Sequence, residues 1–327
     1  MAEEYKMAKR SIEEMIPKEA KTVIILGHIR PDGDCVGSCL GLYHYLKDNM
    51  PWLEMEICLQ KFSESFFLLP EADQIVLMDQ MDLNRTFDLC ISCDASDLQR
   101  LGDAATLFHQ ARYTICIDHH VTNTGFAQEN YIQGGLSSCA EALGRLMDME
   151  KIGRACAQCL YLGVVHDTGV FKYSNTSYET MCFAGRLMDK GLDHTDIIDR
   201  TYFARTKAQT LVCGVAMSRM KTAENGRITY ALITLQDMEE CGADQRDLNG
   251  IVDQLRIVEG AEAAAFIYEM EAGCYKISLR SNHLVDVSAI ATAHGGGGHV
   301  RAAGFELRMA YEDIIDLIIK EIKEQLV

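Results

Sequence analysis

Three short apolar runs constrain what this chain can fold into. Thr22–Leu26, Leu89–Cys93 and Tyr113–Ile117 are almost uniformly apolar rather than alternating. Such runs suit strands buried on both faces, as in a parallel sheet covered by helices on each side. Helix-like segments lie between and after them: Gly37–Lys47 carries Leu40, Leu42, Tyr43 and Leu46, and Ser138–Met149 and Arg154–Val165 also read as helices. The alternation predicts an α/β fold with a parallel, doubly wound sheet in the N-terminal domain. In such sheets ligands collect at the carboxyl ends of the strands. Here the residues just past those ends are polar and of metal-ligating type.

The sharpest segment is Gly27-His28-Ile29-Arg30-Pro31-Asp32-Gly33-Asp34. It places one imidazole and two carboxylates in a tight turn after a strand, with Pro31 and Gly33 bending the chain. Carboxylate oxygen suits hard dications, and imidazole shifts the choice toward Mn²⁺ or another transition metal. Asp94 follows the second run, Asp118-His119-His120 the third, and Asp167 the helix Arg154–Val165. So many carboxylates at one sheet edge would repel one another and raise one another's pKa unless cations neutralised them. Two bound dications would do so. His166, beside Asp167, is a candidate supporting residue.

The pattern changes after about Gly191. Residues 191–222 read as a helical linker between a domain at 1–190 and a smaller α/β domain at 223–327. Strands are predicted at Ile228–Thr234, Ala264–Glu269 and Tyr275–Arg280, and helices at Val287–Ala293 and Tyr311–Leu326; the sheet of this domain is expected to be mixed. The run Gly295–Gly298 can bring backbone N–H groups close to an anion. His299 and Arg301 add side-chain donors, and Arg280, followed by Ser281, has the fork geometry for a phosphate.

The set GHIRPDGD, CDAS, DHH and HDTG resembles, in order, the four motifs of the DHH phosphoesterases. Gly295–Gly304 (GGGGHVRAAG) is similar to the signature of their DHH-associated C-terminal domain. Size and motif spacing are most similar to the NrnA-type members, described as oligoribonucleases (nanoRNases) and 3′-phosphoadenosine 5′-phosphate (pAp) phosphatases. The resemblance implies that His28 and Asp32 hold one Mn²⁺, Asp34, His119 and Asp167 a second, and Asp94 both, with Mg²⁺ or Co²⁺ as substitutes. It implies that Asp118 orients its neighbours and that His120 faces the substrate phosphate. Gly296, Gly297, Gly298, His299, Arg301, Arg280 and Ser281 would bind substrate. The reaction is then two-metal hydrolysis of short RNA oligonucleotides, dinucleotides or pAp. Cleavage of pApA or cyclic di-AMP on the same scaffold is the alternative, and a nucleotide sensor without turnover a lesser one.

Composition narrows the partners. With 31 Lys and Arg against 48 Asp and Glu, the net charge is −17. A long duplex nucleic acid, which needs an extended basic face, is a poor partner. No apolar run is long enough to span a membrane. The start of the chain lacks the apolar core of a secretory leader. Thirteen cysteines scattered through hydrophobic segments fit buried thiols in a reducing cytoplasm. Cys90-x-x-Cys93 and Cys156-x-x-Cys159 have the spacing of zinc or redox pairs, but lie in strand-like and helix-like runs. A homodimer through an exposed face of the first domain is compatible with this reading.

Overall fold

Each central strand buries alternate residues on opposite sides, which is why its sequence shows no polar face. The computed structural model describes residues 8–326, which divide into two units between Ala204 and Arg205. The first is built on six strands: β1 (Thr22–Leu26), β2 (Glu54–Leu59), β3 (Val76–Leu77), β4 (Leu89–Cys93), β5 (Tyr113–Asp118) and β6 (Glu129–Ile132). Their order is β3-β2-β1-β4-β5-β6, and every pairing is parallel. The chain runs outward from β1 to β3, returns to β4 on the other side of β1, and continues to β6. The β1–β4 boundary is therefore the point where the winding reverses, the place where open α/β sheets bind ligands at their carboxyl edge.

Val23, Ile25, Ile91 and Ile115 enter one core together with the helices Gly33–Asn49 and Arg154–Asp167. Ile24, Leu26, Cys58 and Cys90 enter the other with Leu101, Leu107 and Phe108. Cys90 and Cys93 thus fall on opposite faces of β4, so their spacing cannot form a pair. All thirteen cysteines are free thiols and most are buried. The sequence reading passed over β3 and β6: one is two residues long, and the other is an edge strand whose polar side chains leave no apolar run.

The two helices on the first core meet through glycine. A methyl group on Gly37 would stand 2.5 Å from the Cys159 carbonyl oxygen and 2.9 Å from the Gly163 nitrogen. Both neighbours are backbone and cannot swing aside. Gly37→Ala is therefore expected to cost about 1–3 kcal/mol, the scale of an overpacked core. The urea midpoint should fall with its slope unchanged; an unaltered midpoint would mean that the helices separate freely.

The second unit carries a mixed sheet: β7 (Lys221–Ala223), β8 (Ile228–Ile233), β9 (Ala263–Glu271), β10 (Cys274–Ser281), β11 (Gly297–His299) and β12 (Ala302–Leu307). Their order is β11-β12-β10-β9-β8-β7, with β8–β9 parallel and the other pairs antiparallel. The final helix, Tyr311–Gln325, packs Ile314, Ile318 and Ile322 against Ile277, Leu279 and Phe305. The segment 191–222 contributes to both units. Ile197, on the helix His194–Ile198, joins the first core. Val212 and Ala216, on the helix Lys207–Ser218, pack against Ala231 and Phe266 of the second. No helix among the described residues is long and apolar enough to cross a membrane.

Candidate metal centre

The neighbouring strands β1, β4 and β5 deliver their terminal residues to one edge. His28 lies two residues past β1. Asp32 caps the helix Gly33–Asn49, its Oδ1 accepting the backbone N–H groups of Asp34 and Cys35 at 3.1 Å each. Asp34 follows in the first turn. Asp94 stands directly after β4 in the left-handed region, φ 57°, with its N–H donating to the Ile117 carbonyl at 3.0 Å. Strained backbone of this kind persists where the surroundings over-determine it. Asp118 ends β5, His119 and His120 follow, and Asp167 ends the helix Arg154–Asp167.

Asp94 sits at the middle of the group. His28 Nε2 is 3.4 Å from its Oδ2 and 3.6 Å from Asp32 Oδ1. His119 Nε2 is 3.5 Å from Asp94 Oδ1, 3.2 Å from Asp167 Oδ2 and 3.9 Å from Asp34 Oδ2. His120 Nδ1 is 3.8 Å from Asp94 Oδ1 and 2.7 Å from Asp118 Oδ1. The other ring nitrogens of His28 and His119 face backbone carbonyls, of Ile29 at 2.8 Å and Leu136 at 3.3 Å. That leaves both Nε2 atoms directed at carboxylates, the arrangement expected of imidazoles held ready for a cation. All eight residues singled out at this edge in the sequence converge.

The electrostatics favour added positive charge. Burial, with the charges of Asp94 and Asp167, pushes the Asp34 carboxyl well above the usual range. Burial also raises Asp167, to about 6, with Asp94 and Asp32 adding to the effect. Burial opposes a charge on His119, but Asp94, Asp34 and Asp167 override it and carry the imidazole up to about 10. The same contest on His28 is won by Asp32 and Asp94, which raise it. Asp94 Oδ1 is buried and has no hydrogen-bond partner. A buried, unpaired carboxylate oxygen is costly. Three donor groups each have ligand atoms lying within 4.8 Å of one another: His28, Cys35 and Asp94; Asp94, His119 and His120; and Asp34, His119 and Asp167. Oxygen and imidazole donors of this number and spacing fit a divalent metal cofactor.

The supporting contacts explain how the group is held. Asp34 accepts the N–H of Cys139 at 2.6 Å, the N–H of Ala140 at 3.0 Å and the Ser38 hydroxyl at 3.0 Å. The first two open the helix Cys139–Leu146, whose N-terminal dipole favours the carboxylate. Asn123 donates to Asp118 Oδ2 at 2.7 Å and to the Ala95 carbonyl at 3.0 Å, tying the ends of β4 and β5 together. Arg100 brings Nη2 to 3.1 Å from His28 Nδ1. The sequence reading missed both. Asn123 is three residues past the histidine pair and could have been suspected as a turn residue; Arg100 is 72 positions from His28 and carried no signal. His166 faces away from the carboxylates: its Nε2 is 3.0 Å from Thr201 Oγ1 and its ring packs edge-on against Phe66 and Tyr202.

The candidate residues of the second unit are arranged differently. Gly297–His299 forms the exposed edge strand β11. Gly298 has φ 148°, and a methyl group there would meet the Ala302 carbonyl oxygen at 2.4 Å, so glycine is required by the pairing with β12. Gly296 likewise lies against Gly304 and Phe305. Ser281 is buried, with its hydroxyl donating to the Val285 carbonyl at 2.6 Å. Arg301 donates to the same carbonyl at 2.8 Å and to that of His283. Arg280 donates to the Leu279 carbonyl at 3.0 Å and lies 3.3 Å from Asp253. Ser281 and Arg301 brace the loop between β10 and the following helix, whereas Arg280 pairs with Asp253 on the helix Ile251–Arg256.

Comparison with known proteins agrees with this architecture. The DHH family N-terminal domain model matches residues 22–164, and the DHHA1 domain model matches residues 225–327. A bifunctional oligoribonuclease and PAP phosphatase NrnA of Thermus thermophilus is 27% identical, over 96% of this chain and 94% of its own length. The protein of the same name from Mycoplasma genitalium is 29% identical, over 97% of this chain and 99% of its own. The crystal structure of an exopolyphosphatase-related protein from Bacteroides fragilis superposes with a TM-score of 0.81 at 24% identity, covering 94% of this chain and 93% of that one, and so shares the fold. With both domain models matched in order, and relatives aligned from end to end, the chain belongs to the DHH family and carries a C-terminal DHHA1 domain.

Proposed function

We propose that this metal-dependent phosphoesterase hydrolyses short RNA oligonucleotides and pAp, using two Mn²⁺ ions. The observation that carries the metal reading is the buried Asp94 carboxylate, set between two groups of donors with one oxygen unpartnered. His28, Asp32 and Asp94 would hold one ion, and Asp94, Asp34, His119 and Asp167 the other. When bound, dications of this kind supply an activated water and stabilise negative charge on phosphoryl oxygens.

The protein's own groups do the remaining work. Asp118, anchored by Asn123, fixes the ring of His120 through Nδ1. The Asp118 carboxylate also favours the protonated imidazole, raising its pKa. His120 is 41% exposed at the side chain, so its Nε2 can meet a substrate phosphate and give a proton to the departing oxygen. The substrate class is supported by the names of the two full-length bacterial relatives and by a net charge of −17, which disfavours a long polyanion. In the second unit Gly296, Gly297, Gly298, His299, Arg280, Ser281 and Arg301 would bind substrate.

Metal-free protein resupplied with Mn²⁺, Mg²⁺ or Co²⁺ should be assayed on pAp, a dinucleotide, pApA, cyclic di-AMP and a long single strand. Hydrolysis of pAp and the dinucleotide should exceed that of the long strand and of the cyclic dinucleotide, and Mn²⁺ should restore the most. Equal turnover of the long strand would end the short-substrate reading; preference for cyclic di-AMP would reassign the substrate.

A further inference from the structure

The donors assigned above are all oxygen or nitrogen, yet the group around His28 and Asp94 contains sulfur. The Cys35 Sγ and ligand atoms of His28 and Asp94 lie within 4.8 Å of one another, and all three residues are buried. Cys35 is 0% exposed. Its backbone is fixed in the first helical turn by the Asp32 cap, at 3.1 Å. Its sulfur occupies the space where Gly27 would carry a side chain: a methyl group there would come within 2.2 Å of Sγ. The end of β1 therefore holds the thiol against the site. Asp94, 3% exposed, turns its Oδ2 toward His28 of the same group, at 3.4 Å. The other two three-donor groups, Asp94 with His119 and His120, and Asp34 with His119 and Asp167, have no sulfur. The two halves of the centre are chemically unequal.

We propose that Cys35 is a sulfur ligand at the His28–Asp94 position, which therefore discriminates against magnesium and accepts manganese, iron(II), cobalt or zinc, while the Asp34–His119–Asp167 position stays a hard oxygen and nitrogen site. A thiolate ligand disfavours Mg²⁺, which is suited to carboxylate and water oxygen. On binding, the thiol proton passes to solvent as the metal–sulfur bond forms, with no change of oxidation state. This inference rests on reading the cluster as a two-cation centre.

Cobalt(II) titration of the metal-free full chain tests both levels. Visible d–d absorption reports a bound ion whatever its ligands; a near-ultraviolet thiolate-to-cobalt charge-transfer band reports sulfur. Wild type and Cys39→Ala should show both, and Cys35→Ala and Cys35→Ser should lose the charge-transfer band while keeping visible absorption. A wild-type spectrum with visible bands and no charge-transfer band would overturn the sulfur ligand and leave the two-cation reading standing. Persistence of the band in both Cys35 variants would overturn it equally. No cobalt binding at all would remove the two-cation reading and this inference with it.

Discussion

Asp94→Asn should lower turnover of pAp and of a dinucleotide by about 10²- to 10³-fold while the protein remains folded. Removal of one preorganised charge interaction at a reacting centre costs about 3–4 kcal/mol, and each 1.36 kcal/mol is tenfold in rate. Asp94 is the residue with ion-pair distances to His28, His119 and His120 together, so its loss would weaken both cation positions at once. An amide has the shape of the carboxylate but neither its charge nor its second acceptor oxygen. The same change removes a negative charge beside Asp34 and Asp167, both of which it pushes up. It also removes a partner that raises His28 and His119, so the two effects oppose each other and metal-free Asp94→Asn protein should melt close to metal-free wild type. Lost activity with a retained melting temperature identifies a site residue; retained turnover would remove Asp94 from the centre.

Restoring Mn²⁺ to chelator-stripped protein should raise the melting temperature of the first unit by about 5–10 °C. A ligand that binds only the native state at about 100 times its Kd adds about 2.7 kcal/mol. In a domain of about 200 residues each kcal/mol moves the midpoint by about 2–4 °C. The binding groups sit on β1, β4, β5 and two helices of one core, so unfolding that core disperses all of them. The apo protein holds Asp34, Asp94 and Asp167 around a single imidazole, which is a source of repulsion that cations relieve. Thermal melts followed by circular dichroism should show the shift in wild type and a much smaller one in Asp94→Asn. A wild-type melting temperature indifferent to chelator and to Mn²⁺ would contradict the metal centre independently of any assay of activity.

Much of the site was legible in the chain because its chemistry is punctuated by strand ends. Uniform burial on two faces writes an apolar run, and the first polar residues past it mark the edge where ligands gather. His28, Asp94, Asp118, His119 and His120 could be found that way, and Asp32 and Asp34 from the turn that follows β1. The second unit was less legible. Gly296 and Gly298 read as an anion-binding loop, yet each also has a packing reason, close approach to β12. Arg301 read as an added side-chain donor to an anion, and its guanidinium also reaches carbonyls 16 and 18 residues earlier. Short-range pattern cannot show whether a guanidinium is already occupied by backbone that is remote in sequence.

What the amino-acid order determined alone was the set of strand-terminal carboxylates and imidazoles, the doubly wound sheet beneath them, and the family those motifs mark. Tertiary structure decided that β1 and β4 are neighbours at the point where the winding reverses. It also set Asp94 between two donor groups, brought Asn123 in as a support and Arg100 beside His28, and gave only one of those groups a sulfur. The physical reason is range. Periodicity and turn chemistry act over a few residues, whereas the approach of Cys35 to Asp94, or of Arg100 to His28, depends on how separately written helices and strands fill one core.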